Sequence, residues 1–187
     1  MKILAIAGSL REESHNLRLL HEVRRLAPSN IEVELWEGLR DIPPYDSGLD
    51  VDLAPFAVAK LRQAIAAADA ILISTPEYNG SLPGVLKNAL DWASRPFPGN
   101  AARGKPAAVL SASEGSFGGV WAQADAKKVL GILGARVVDE GLALPYAQSA
   151  FDASGTLIEP VYRDNLVATL TALVAEVEED RAVRNAA

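Results

Sequence analysis

Residues 1–16 read MKILAIAGSLREESHN: a short apolar run from Ile3 to Ala7, broken at Gly8 and followed by a polar loop. The run is too short for the hydrophobic region of a secretory leader, which needs at least about 7 apolar residues, and charges follow it at once. It reads as a first β-strand. Ala70 to Ile73 and Ala107 to Leu110 repeat the pattern. Short apolar runs bounded by turn or polar residues suit strands covered on both faces, as in a parallel sheet. Ile31-Glu32-Val33-Glu34-Leu35 alternates instead, which fits a strand with one wetter face near a sheet edge, and Trp36 belongs to its end. A fifth strand is expected around Arg136 to Val138, with room to continue to Leu144.

Between these runs the spacing is helical. Leu19, Val23 and Leu26 share one face, closed by Pro28; Val58, Leu61 and Ile65 share another behind Pro55. Leu86, Ala89, Leu90 and Ala93 form a third stripe, with Ser81 as a candidate cap and Pro83 near its start. Ala126, Val129, Leu130 and Leu133 form a fourth; Val167, Leu170, Val174 and Val177 form a fifth. This alternation predicts an α/β protein with a mostly parallel sheet and right-handed crossovers. No repeat, low-complexity segment or long linker divides the chain. Residues 1–187 are therefore read as one domain, with a polar, alanine-rich tail over 178–187 expected to fray.

The 187 residues are 49% hydrophobic and 22% charged, the composition of an ordinary globular protein. A chain of this length can bury roughly 70% of the surface it exposes when unfolded. Lys and Arg number 18 against 24 Asp and Glu, leaving a net charge of −6 with no basic run. Nucleic acids require a concentrated cationic face, so none is expected as a partner. Any bound anion must be small and held locally. The chain has no Cys, which excludes disulfides, thiolate metal sites, iron–sulfur clusters and a cysteine nucleophile. No His-x-x-x-His pair or run of clustered carboxylates points to a metal. No window approaches the roughly 18 apolar residues of a membrane-spanning helix, so no membrane partner is expected and the chain is placed in the cytoplasm.

In a doubly wound sheet, ligands bind beyond the carboxyl ends of the strands. Three polar segments leave such ends. Gly8-Ser9-Leu10-Arg11-Glu12-Glu13-Ser14-His15-Asn16 offers two hydroxyls, an amide and a guanidinium, followed by a helix whose free N–H groups favour an anion. It is neither a P-loop nor a dinucleotide fingerprint. Two readings stand side by side: a phosphate monoester cradle in which Ser9, Ser14 and Asn16 donate while Arg11 adds charge, and a helix merely capped by Ser14 or Asn16. Residues 75–84, Thr-Pro-Glu-Tyr-Asn-Gly-Ser-Leu-Pro-Gly, form a rigid loop able to aim Tyr78 and Asn79 at a flat polar ligand, or a plain strand-to-helix turn. The glycine- and serine-rich segment Ser111 to Gly119 is open to the same two readings.

Gly8-Ser9-Leu10-Arg11 with Ser14 and Asn16, Pro76-Glu77-Tyr78-Asn79 with Pro83-Gly84, and Leu86-Lys87-Asn88-Ala89-Leu90-Asp91-Trp92 together resemble the NADPH-dependent FMN reductase family, which includes quinone and chromate reductases. The similarity runs from Met1 to about Leu144. It implies a flavodoxin-like three-layer sandwich with a five-stranded parallel sheet in order 2-1-3-4-5, bound FMN, and a homodimer or homotetramer. Carried over by position, Ser9, Arg11, Ser14 and Asn16 would hold the FMN phosphate, with Leu10 contributing backbone. Pro76, Glu77, Tyr78 and Asn79 would line the isoalloxazine ring, and the loop with Ser111, Ala112, Ser113 and Gly115 would close over its other edge. Two departures stand out. Glu12 and Glu13 replace residues that are often Lys and Gly in relatives, and Ala112 replaces a hydroxyl residue, leaving only its backbone to serve.

The resemblance implies an FMN-dependent NAD(P)H oxidoreductase working by a ping-pong scheme, with NADPH or NADH as co-substrate and a quinone or other small electron acceptor. The flavin carries that chemistry, so no protein residue is assigned as a catalytic acid or base. The alternative is a flavodoxin-like electron carrier without pyridine-nucleotide activity; Arg11 and the modest charge of −6 favour the enzyme. His15 is read as a first-turn helix residue and His21 as solvated. Trp92 and Trp121 are read as packing or subunit-contact residues, and Tyr45 as bordering the site entrance.

Overall fold

The protein is described by a computed structural model covering residues 1–50 and 54–186. Strand β1 (Lys2–Ala7) runs between β2 (Glu32–Trp36) and β3 (Ala70–Thr75), pairing Ile3 with Val33 on one side and with Ala70 on the other. Beyond β3 lies β4 (Pro106–Ala112), again parallel. Every residue of β3 and β4 is buried, whereas β2 buries only Val33, which is why the alternating sequence occupies the edge. The observed order is β2-β1-β3-β4-β5, as expected.

The pleat sends alternate side chains to opposite layers. Ile3, Ala5, Leu72 and Leu110 pack with Leu19, Leu20 and Val23 of α1 (His15–Leu26) and with α5 (Pro160–Ala186). Leu4, Ile6, Ile71, Ile73 and Val109 face α2 (Phe56–Ala67), α3 (Gly84–Ala93) and α4 (Val120–Leu133). The three layers follow from two apolar sheet faces that both need cover.

Three sequence expectations are corrected. The fifth strand is split into β5 (Arg136–Val137) and β6 (Ala143–Leu144), which pair with opposite ends of β4. Between them the Val109 carbonyl accepts from Gln123 Nε2 at 2.9 Å, so the ladder is interrupted there. Only glycine fits opposite that carbonyl, because a Cβ on Gly141 would stand 2.6 Å from its oxygen. Ser81 does not cap α3: Pro83 holds the cap position, and the Ser81 hydroxyl donates to Asp125 at 2.7 Å. The buried stripe of α5 is Leu166, Leu170, Leu173 and Val177, with Val167 outside it at 45% exposure. Helix α5 runs on through the tail segment to Ala186. Arg136 draws Glu176 and Asp180 to the sheet at 3.1 and 3.0 Å, and Arg181 reaches Asp69 at 2.9 Å. Among the described residues no helix is long and apolar enough to cross a membrane.

Asp69, just before β3, ties this base together by accepting from the Lys2 N–H at 2.8 Å and from Arg181. Burial pushes its carboxyl up, but the two hydrogen bonds and the Arg181 charge outweigh burial and hold it below the usual carboxylate value. A depressed native value contributes stability that is complete above the unfolded value and is lost as pH falls through the native one. Urea unfolding should therefore show Asp69→Asn less stable than the parent at neutral pH, with the difference shrinking as pH falls below about 4. A difference that stays constant across that range would contradict the assignment.

Candidate cofactor site

The loops that leave β1, β3 and β4 meet at the carboxyl edge of the sheet. Ser9, Arg11, Ser14 and Asn16 from the first, Pro76, Glu77 and Tyr78 from the second, and Ala112 and Ser113 from the third line one cleft of about 250 Å³. His15 and Glu114 complete its wall. Leu10, Asn79, Ser111 and Gly115 are not part of that lining. Leu10 packs against the core beneath, Asn79 forms a turn, Ser111 is buried in β4 with its hydroxyl unpaired, and the Gly115 N–H donates to Ser113 Oγ at 3.2 Å.

In the first loop the hydroxyls serve the backbone as acceptors and keep their own hydrogens. Ser14 is the N-cap of α1, accepting from the Asn16 N–H at 3.2 Å, and Ser9 Oγ accepts from the Arg11 N–H at 3.2 Å. The capping reading and the phosphate reading are thus compatible in one residue. The Arg11 guanidinium has no partner among the described residues, nor do the N–H groups of Leu10, Glu12 and Glu13. These groups converge at the start of a 12-residue helix.

Asn16 has a second task that its type and position alone do not disclose. It is 2% exposed, and its Oδ1 accepts from Ser74 Oγ at 2.8 Å and from the Ala112 N–H at 2.9 Å. Its Nδ2 donates to the Ala112 carbonyl at 3.0 Å, leaving one amide hydrogen for a ligand. Both backbone groups of Ala112 are thereby spent, so that residue presents only its methyl to the cleft.

The second loop is shaped by a two-residue hairpin. Tyr78 and Ser81 exchange both backbone hydrogen bonds, at 3.0 and 3.2 Å, across Asn79 (φ 53°) and Gly80 (φ 73°). Positive φ at both central positions is the conformation that Asn-Gly favours, so the dipeptide was a readable turn signal. Tyr78 is left 55% exposed at the mouth. Glu77 does more than line the cleft: its carboxylate accepts from the N–H groups of Trp121 and Ala122 at 3.0 and 3.1 Å. It caps α4, whose own cap residue, Gly119, has no side chain to do so.

His15 and Glu114 were not expected in the wall. They meet across it, His15 Nε2 lying 3.3 Å from Glu114 Oε1. The signal available was position: His15 follows the cap of a helix that starts at the site, and Glu114 follows Ser113. Glu12 and Glu13 line an outer cleft and not this one. His21 is exposed, Trp92 is fully buried, and Trp121 is 51% exposed. Tyr45 stacks edge-on against Trp92 at 4.8 Å and accepts from Arg95 at 3.2 Å. Among the described residues no cluster of metal ligands occurs.

Comparison with known proteins agrees with this geometry. The profile of the family described as NADPH-dependent FMN reductase matches residues 1–149. The chain belongs to that family. It is accordingly an oxidoreductase of the FMN- and NAD(P)H-dependent kind, with the flavodoxin-like sheet order. An NAD(P)H-dependent FMN reductase of Pseudomonas aeruginosa is 42% identical over 174 residues, covering 92% of this chain and 93% of that protein. A 2-hydroxy-1,4-benzoquinone reductase of a Burkholderia species is 37% identical over 182 residues, covering 97% and 98%. The solved structure of FerB, a flavoenzyme NAD(P)H:(acceptor) oxidoreductase of Paracoccus denitrificans, superposes with a TM-score of 0.86 at 35% identity, covering 95% of this chain and 97% of that one.

The residues present fit FMN. A phosphate monoester needs donors and positive charge, and the first loop supplies the unpaired Arg11 guanidinium, two free hydroxyl hydrogens and unpaired N–H groups. Arg11→Ala should weaken FMN binding by about 1.5–3 kcal/mol, the range for a hydrogen bond to a charged group. Fluorescence titration of the flavin reads this directly, and an unchanged affinity would remove Arg11 from the phosphate position.

Proposed function

We propose that this protein oxidises NADPH or NADH and passes the electrons through FMN to quinones or similar small acceptors. The observation that carries the reading is the convergence of three loops on one open cleft, with unpaired donors at the start of α1 and the exposed Tyr78 at the mouth. Bound FMN supplies the two-electron chemistry. Ser9, Arg11, Ser14 and the Leu10 N–H hold its phosphate, Asn16 fixes the loop that carries them, and Pro76 to Asn79 with Ser111 to Gly115 frame the ring. An open mouth lets donor and acceptor visit the same place in turn, which is the requirement of a ping-pong scheme. The quinone reductase relatives support this class of acceptor.

The protein works in the cytoplasm as a homodimer or homotetramer in this reading. Val85 in the first turn of α3, Val120 and Trp121 in the first turn of α4, and Phe117 before it are exposed by 36, 37, 51 and 62%. Phe117 and Trp121 stack at 5.0 Å, giving an apolar surface suited to a second copy. Light scattering should return a mass of two or four 19.8 kDa chains, and a monomer at assay concentration would refute the assembly.

The yellow, FMN-loaded protein should oxidise NADPH or NADH steadily when a benzoquinone is supplied, with parallel double-reciprocal plots. Flavin binding without nicotinamide oxidation would favour the electron-carrier alternative instead.

A further inference from the structure

One side of the inner cleft is a wall of three side chains. Arg11, His15 and Glu114 line this cleft and also a larger one of about 970 Å³, so the two spaces are divided by these residues. Arg11 comes from the first loop, His15 from the first turn of α1 and Glu114 from the loop after β4. His15 Nε2 lies 3.3 Å from Glu114 Oε1, so the pair bridges the first loop and the third.

Both halves of the bridge are held. The His15 side chain is only 14% exposed, and its Nδ1 is buried without a partner among the described residues, so no second bond competes with Glu114 for the ring. The backbone on either side of Glu114 is pinned. The Ser113 N–H donates to the Leu144 carbonyl at 3.1 Å, and the Ser113 carbonyl accepts from the Ala147 N–H at 3.0 Å. The Gly115 carbonyl accepts from the Tyr146 N–H at 3.3 Å. The wall is therefore built by contacts between distant segments. On its far side Arg11, Arg18 and Arg40 share the lining with Glu12, Glu13 and Glu114, and the three guanidiniums offset the three carboxylates.

We propose that the His15–Glu114 pair determines flavin selectivity: it admits a flavin that ends in a phosphate monoester and rejects one whose phosphate carries a further substituent, as in FAD. This rests on the reading of the inner cleft as a flavin phosphate site. A terminal phosphate needs donors for its free oxygens, and Arg11 with the start of α1 supplies them. A second phosphate and its adenosine must pass the wall, where bulk and the Glu114 carboxylate both oppose them. The outer cleft offers no net positive charge in return. Selectivity then comes from an obstacle to the larger ligand rather than from an added contact to the smaller one.

The test is titration of the full-length, flavin-stripped protein with riboflavin, FMN and FAD, read by flavin fluorescence, for the parent, His15→Ala and Glu114→Ala. The parent should bind FMN about a hundredfold more tightly than FAD, and riboflavin more weakly than FMN. Each variant should narrow the ratio of the FAD Kd to the FMN Kd about tenfold, mainly by tightening FAD. Retained FMN binding shows that a variant is folded. Glu114, with its side chain 63% exposed, carries the test if His15→Ala fails that check. FAD bound by the parent as tightly as FMN overturns the proposal and leaves the inner site standing. A ratio unchanged in Glu114→Ala overturns it as well, whether both affinities fall together or neither moves. Riboflavin bound as tightly as FMN, or no flavin bound at all, overturns the phosphate reading of the inner cleft, and the proposal with it.

Discussion

The site depends on one buried carboxamide. Asn16 stands in the first turn of α1, yet its three side-chain bonds run to the ends of β3 and β4, through Ser74 Oγ and both backbone groups of Ala112. It thereby locks the loop from Gly8 to Asn16 to the two strands whose following loops line the same cleft. Each such bond adds only about 0.5–1.5 kcal/mol net, but a buried group left without its partner costs about 1–3 kcal/mol. The arrangement is therefore held less by the strength of these bonds than by the cost of breaking any of them.

A similar cross-loop device sets the other half of the cleft. Glu77 leaves β3 and satisfies the N-terminus of α4, while Ser81 of the same loop reaches Asp125 within that helix. The Asn79-Gly80 turn between them returns the chain sharply enough for both contacts. The ring-side loop thus acquires a fixed shape from hydrogen bonds that involve no ligand. Preorganisation of this kind lowers the ordering cost of binding, since the loops are already placed before a cofactor arrives.

Charge is distributed with the same economy. The protein carries −6 overall, but the acidic side chains near the phosphate position face the outer cleft, and Glu114 is engaged by His15. A single unpaired arginine, hydroxyls and N–H groups suffice for a small anion held at a helix start.

Much of this was legible in the residues. The apolar runs marked β1, β3 and β4, the alternation of Glu32 to Leu35 marked the edge strand, and the polar loops marked the cleft at the carboxyl edge, because strand burial and turn chemistry are local properties. The split of the fifth strand was not legible, since it follows from Gln123 taking the Val109 carbonyl. Nor was the helical continuation past Glu178, which Arg136 and Asp69 hold from elsewhere in the chain. The residues by themselves determined an alternating α/β chain and which loops leave the carboxyl ends of its strands, while the sheet order came with the family resemblance. Only the tertiary structure decided that Asn16 and Glu77 are clamps as well as lining, and that Ala112 has no free backbone. Each of these depends on a partner 40 to 100 residues distant, and hydrogen-bond partners at that range are chosen by the fold rather than by any neighbouring residue.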